Sequence, residues 1–78
     1  MKTTTITLPD LNSAKQFANI TSKYTDYKMN LISDNYTIDA HSIIGILSLD
    51  MSNDILLETD SSVPSKFYEE ISQFIKVD

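Results

Sequence analysis

Asp39-Ala40-His41-Ser42-Ile43-Ile44-Gly45-Ile46-Leu47-Ser48-Leu49 is the stretch from which the rest of the chain can be read. It holds the only histidine and the only glycine of the 78 residues, together with the densest apolar run. A serine directly ahead of such a run is a helix N-cap signal, so a short helix of about two turns is expected from Ser42 to Leu49. A hydroxyl in that position faces the positive end of the helix, a setting that favours an added phosphate. His41 reads as a partly exposed residue closing the strand before it.

Upstream, Tyr36 to Asp39 reads as a strand with Ile38 inward. Asp34-Asn35 forms the two-residue hairpin turn leading into it, because both residue types tolerate positive φ. Tyr27, Met29 and Leu31 alternate with Lys28 and Asn30 and form the partner strand. Before that, Ala14, Phe17, Ala18, Thr21 and Tyr24 recur at helical spacing, with Lys15, Gln16, Asn19, Ser22 and Lys23 on the outer face. Ser13-Ala14-Lys15-Gln16 fits the capping box and marks the expected start of that helix. The β-branched run Thr3 to Leu8 reads as the first strand, ended by Pro9.

Downstream, Ser52-Asn53-Asp54 is a turn, and Ile55 to Thr59 a fourth strand. The loop Asp60-Ser61-Ser62-Val63-Pro64 leads into a last helix with proline in its first turn. That helix carries Phe67, Ile71, Phe74 and Ile75 on one face, with Tyr68 beside them. The order is βαββαβα, one domain over residues 1–78. It implies an α+β layer: a four-stranded antiparallel sheet with three helices on one face. The first and second strands are expected to run parallel, joined by a right-handed helical crossover.

Composition bounds the function. The 41% hydrophobic content suffices for a small core and argues against disorder. Without cysteine there are no disulfides and no thiolate ligands or nucleophiles. No secretory pattern follows Met1-Lys2, and no run approaches a membrane span, so the expected location is the cytoplasm. The glycosylation-like triplets Asn19-Ile20-Thr21 and Asn35-Tyr36-Thr37 are then chance matches. A formal charge of −5 with six scattered basic residues opposes a nucleic-acid footprint and favours a positively charged partner surface.

Catalytic chemistry is scarce. One histidine cannot build a zinc cluster, and a lone glycine cannot build a phosphate-cradling loop. His41 and Ser42, neighbours at a strand-to-helix junction, project apart and do not make a Ser-His-Asp triad. Asp50, Ser52 and Asp54 match the first ligand positions of a calcium loop, but Ile55 and Ser61 break the rest. Asp34, Asp39, Glu69 and Glu70 read as exposed charges. No catalytic residue, metal site or cofactor is expected, and the chain does not read as an enzyme.

The run His41-Ser42-Ile43-Ile44-Gly45-Ile46-Leu47-Ser48-Leu49 resembles the regulatory-serine segment of HPr, the phosphocarrier of the sugar phosphotransferase system. In Gram-positive members that segment reads close to Lys-Ser-Ile-Met-Gly-Val-Met-Ser-Leu. Serine, the following isoleucine, glycine, the second serine and leucine match in register, and lysine is replaced by His41. Ser22-Lys23 resembles the Ser-Lys that ends the first HPr helix. The resemblance implies an open-faced β-sandwich over essentially the whole chain.

HPr carries its phosphoryl group on a histidine in a His-Ala-Arg-Pro-Ala motif at the start of the first helix. Counted back from Ser22-Lys23, that motif falls on Asp10-Leu11-Asn12-Ser13-Ala14, where only the alanine survives. Asp10 therefore stands at the histidine position, as a helix cap or, less readily, as an acyl-phosphate acceptor. The chain resembles a degenerate HPr, similar in logic to the catabolite-repression paralogue that keeps the serine and lacks the histidine. The resemblance implies phosphorylation at Ser42 by an HPr kinase or phosphatase-type enzyme. It further implies docking through His41, Ile43, Ile44 and Leu47 to a protein such as a LacI-type transcription regulator. Two alternatives stay open: a phosphocarrier with an unusual acceptor, and an HPr-fold interaction domain with neither activity.

Overall fold

Alternation decides which side of each strand is buried. Met29, Leu31 and Ser33 point to the core from β2 (Met29–Ser33), as do Ile55, Leu57 and Thr59 from β4 (Ile55–Thr59). The computed structural model describes residues 1–50 and 52–76. Its other elements are β1 (Lys2–Ile6), α1 (Leu11–Thr21), β3 (Tyr36–Asp39), α2 (Ile43–Leu47) and α3 (Ser65–Glu70), with a 3-10 turn over Ser72–Phe74. The observed order is the expected βαββαβα.

The strands form one antiparallel sheet in the order β1-β4-β2-β3. β1 and β2 run parallel as expected, with β4 between them and antiparallel to both. Leu31 sits opposite Leu57 on the inner face, and Ile32 opposite Leu56 on the outer one. The hairpin turn is Asp34-Asn35: Ser33 pairs with Tyr36, and Asp34 takes φ of 53°. Phe17, Ile46, Phe67, Ile71 and Phe74 pack against the inner face in one apolar cluster. Phe17 and Phe74 meet edge to face at 5.9 Å.

Several boundaries differ from expectation. α1 begins at Leu11 behind Asp10; Ser13 is an interior residue whose N–H is donated to the Asp10 carboxylate at 2.7 Å. Asp10 is extended (φ −150°, ψ 175°), the backbone an N-cap requires, so the cap forms three residues early. α2 closes at Leu47, one turn shorter than its apolar run suggests, with Leu49 still buried beyond it. Pro64 is the N-cap of α3 and not a first-turn residue.

The last helix stops at Glu70, and Ile75 belongs to the sheet. Ile75 bridges antiparallel to Ile6, the Thr7 N–H donates to the Phe74 carbonyl, and the Lys76 N–H donates to the Thr5 carbonyl. Backbone pairing with β1 thus takes over from the helical bonds that would have continued α3. Shorter adjustments place the first strand at Lys2–Ile6 and start β2 at Met29, leaving Tyr27 in the connecting turn.

Candidate functional site

Ser42 caps α2 as the sequence implies. It has extended backbone (φ −90°, ψ 111°), and its Oγ accepts the Gly45 N–H at 3.1 Å. Gly45 is needed for close approach. A Cβ there would lie 3.2 Å from Ile38 Cδ1 and 3.3 Å from Ser42 Oγ, both tighter than ordinary contact. The single glycine therefore lets the first turn of α2 settle against β3 with the serine hydroxyl folded over it.

The faces of α2 divide sharply. Ile46 is fully buried, whereas Ile43 and Leu47 are each 39% exposed and Ile44 is 80% exposed. An isoleucine that exposed loses most of the transfer energy that its burial would contribute, about 2 kcal/mol for a side chain of this size. One buried residue anchors the helix, and three apolar residues beside Ser42 face outward. Core packing thus does not hold Ile44, whereas Ile43 and Leu47 are partly covered and partly open to a partner.

His41 stands differently. Its side chain is only 17% exposed, and both ring nitrogens are engaged: Nδ1 with Asp39 Oδ1 at 2.6 Å, Nε2 with the Tyr24 carbonyl at 3.0 Å. It is set back from the outward apolar residues and is neither a free nucleophile nor a free base. Asp39 also accepts the His41 backbone N–H at 2.8 Å. That bond, with help from the ring, holds the Asp39 carboxyl below its usual range despite some desolvation. Asp39 is therefore a partner of His41 and not a simple surface charge.

Around these residues the end of α1 is tied to the junction that carries Ser42. Thr21 Oγ1 lies 2.8 Å from the Ala40 carbonyl and 3.1 Å from that of Ala18. A shallow groove of about 450 Å³ between the two helices is lined by Lys15, Ala18, Asn19, Ser22, His41 and Ile43. Glu70, expected to be a solvated charge, bridges Lys23 at 2.8 Å and the Tyr24 hydroxyl at 2.8 Å. These two donors lower its carboxyl, and Glu70 in return raises the Tyr24 phenol.

At the other helix start, Asp10 is exposed, and its carboxyl is lowered by the Ser13 N–H and then by the Ser13 side chain. The position expected for a carrier histidine thus holds a capping carboxylate. Asp50 closes the next turn by accepting the Ser52 N–H at 3.0 Å, and Asp54 pairs with Lys76 at 2.7 Å. Among the described residues no three His, Asp or Glu side chains gather closely enough to hold a metal ion. No helix among them is long and apolar enough to cross a membrane.

The Asp39–His41–Tyr24 contact escaped sequence reasoning because it closes over 17 residues. Its local half was readable: an aspartate two residues before an N–H is the Asx-turn pattern.

No family model matches the chain, and no curated protein matches it. Among solved structures it is similar to one described as the crystal structure of HPr-C-His from Thermoanaerobacter tengcongensis. The two are 25% identical, with a TM-score of 0.75 over 94% of this chain and 89% of that one. The fold is HPr-like. The α+β layer, the four-stranded antiparallel sheet and the three helices all correspond to that architecture, and with it to the phosphocarrier-related proteins that use it.

Proposed function

We propose that this HPr-like protein is a regulatory binding module switched by phosphorylation of Ser42 and does not carry phosphoryl groups on histidine. One observation carries the reading: an exposed serine hydroxyl caps a helix whose other outward side chains are Ile43, Ile44 and Leu47. An apolar trio around a modifiable hydroxyl suits a partner that packs on the isoleucines and reads the serine's charge. The absence of a carrier histidine adds support. Asp10 occupies that position as a cap, and His41, the only imidazole, has both nitrogens engaged elsewhere.

The chemistry is simple. Ser42 Oγ attacks the γ-phosphorus of ATP, ADP leaves, and the hydroxyl proton passes to the kinase. The product carries about two additional negative charges and three strong acceptor oxygens, which suit a partner's arginine. α2 spans only five residues, so its dipole contributes less than a longer helix would. Charge and hydrogen bonding to the partner supply most of the discrimination. An HPr kinase or phosphatase-type enzyme is the modifying partner on this reading, and a LacI-type regulator the kind of protein that docks.

The test is incubation with an HPr kinase and ATP, followed by intact mass. The wild-type chain should gain one phosphoryl group and Ser42→Ala none. An unmodified wild type would overturn the proposal. So would acid-labile labelling by enzyme I and phosphoenolpyruvate, because it would identify a working carrier.

A further inference from the structure

The surroundings of the His41 ring have a consequence for Ser42. Both atoms that the ring meets are oxygens with no hydrogen to give: the Asp39 carboxylate at Nδ1 and the Tyr24 carbonyl at Nε2. The Tyr24 oxygen also accepts the Tyr27 N–H at 3.1 Å, which confirms its role as an acceptor. A neutral imidazole has one N–H, so in either tautomer one ring nitrogen would set its lone pair against an oxygen lone pair. Only the imidazolium, with two N–H groups, makes both bonds.

Those bonds join separate parts of the chain. Asp39 ends β3, and Tyr24 lies in the turn after α1, while the ring between them belongs to the residue immediately before Ser42. We infer that His41 is a proton-operated clamp fastening the β3–α2 junction to the turn after α1, and so sets how firmly Ser42 is presented. With the second proton in place the junction is held at two points. When the ring gives it up, one tie becomes a repulsive contact, so the clamp loosens on deprotonation.

The charges facing the ring do not reverse this sign. β3 supplies Asp39, in direct contact. α1 supplies Lys15, which lines the groove on one side of the ring. The turn after α1 supplies Asp26 and Lys28, of opposite sign, and the phenol of Tyr27 in the concavity on the other side. β2 brings only Met29 and Asn30 there, and α2 has no charged residue. The two lysines are offset by Asp26 and, at hydrogen-bonding distance, by Asp39.

The bearing of the clamp on regulation rests on the phosphorylation proposed above; the clamp itself does not. A phosphate on Ser42 places a dianion one residue from the ring and favours the imidazolium. By reciprocity, a protonated ring favours the phosphorylated state by the same factor.

Because His41 is the only histidine, [15N]histidine labelling yields a single ring to follow by NMR. In the unmodified wild type, the charged ring should show two N–H protons protected from exchange, one on each nitrogen. Exchange of the Gly45 and Ile46 amides, corrected for intrinsic rates, should speed up about fivefold as the ring loses a proton, the effect of one lost hydrogen bond. Asp39→Asn should flatten that dependence, and His41→Lys, whose charge is constant over this range, should remove it. A charged ring with either N–H unprotected overturns the clamp. So does exchange indifferent to the ring's state, or a pH dependence that survives Asp39→Asn.

A second arm installs phosphoserine at position 42 during translation, so it needs no kinase and is independent of whether one modifies this chain. The ring should then hold its second proton to higher pH than in the unmodified protein. No movement would overturn the link to Ser42.

Discussion

At the start of α1 a carboxylate, Asp10, accepts the Ser13 N–H at 2.7 Å; at the start of α2 a hydroxyl, Ser42, accepts the Gly45 N–H at 3.1 Å. The geometry is shared, and the chemistry is not. Asp10 caps an eleven-residue helix with a charge it already has, and Ala14, Phe17, Ala18 and Thr21 are buried along that helix. Ser42 caps a five-residue helix with a neutral group, and one residue of that helix, Ile46, is buried. The first arrangement is committed to stability. The second leaves charge to be added and apolar surface to be covered, which is what a switched contact needs.

The largest effect should come from the single anchor of α2. Ile46→Ala is expected to cost about 2–5 kcal/mol, while Ile44→Ala on the outward side should change stability by no more than about 0.5 kcal/mol. Urea unfolding midpoints at unchanged slope measure both. Similar costs for the two would erase the division between the faces of α2.

Next are the caps themselves. Ser42→Ala should cost about 1 kcal/mol at any pH where the protein is folded. Asp10→Asn, which keeps a capping oxygen but loses the charge, should cost stability above the ordinary carboxyl range and converge with the wild type in acid. The Asp10 carboxyl is held below its ordinary 3.8, so its contribution is complete above that value and is lost as pH falls through the lower folded value. Thermal midpoints between about pH 2 and pH 6 should show a shallower acid limb for Asp10→Asn and an unaltered one for Ser42→Ala. Equal limbs would mean that the Asp10 charge plays no part in its cap.

The smallest effect is expected at Gly45. Alanine gains about 1 kcal/mol of helix propensity, but its methyl presses on Ile38 Cδ1 and Ser42 Oγ. The two oppose, so Gly45→Ala should change stability by less than about 1 kcal/mol. Amide exchange at Gly45 should nonetheless speed up as the Ser42 bond is strained. An unperturbed amide would show that Ile38 yields and the serine does not.

Much of this was legible in the sequence where local rules act alone. β3 and β4 begin and end where alternation and turn residues put them, because Asp34-Asn35 and Ser52-Asn53-Asp54 leave little choice of register. The Ser42 cap was legible for the same reason. The α1 start was not, because Asp10 and Ser13 are both good caps three residues apart. The extended backbone of Asp10, which no side-chain pattern announces, decided between them. The end of α3 was hidden because Ile71, Phe74 and Ile75 suit a helical face and a strand equally, and the competitor for Ile75 is Ile6, at the far end of the sequence. Distance also hid Glu70 with Lys23 and Tyr24, and His41 with Tyr24. Polar side chains show no periodicity that reveals their partners, so the positions around Ser42 could be named while the bonds that position them could not.

The pairing of Phe74, Ile75 and Lys76 along β1 bears on how this chain avoids sticking to itself. A sheet edge is a row of unpaired N–H and C=O groups, ready to template another chain. The C-terminal end of that row on β1 is taken up by Thr7 with Phe74, Ile6 with Ile75 and Thr5 with Lys76, which shortens the open edge. Among the described residues the other edge is β3, four residues long and ending in the charged Asp39. What adhesiveness the surface keeps therefore lies in side chains more than in bare backbone, and side chains can be tuned one at a time without unravelling the sheet.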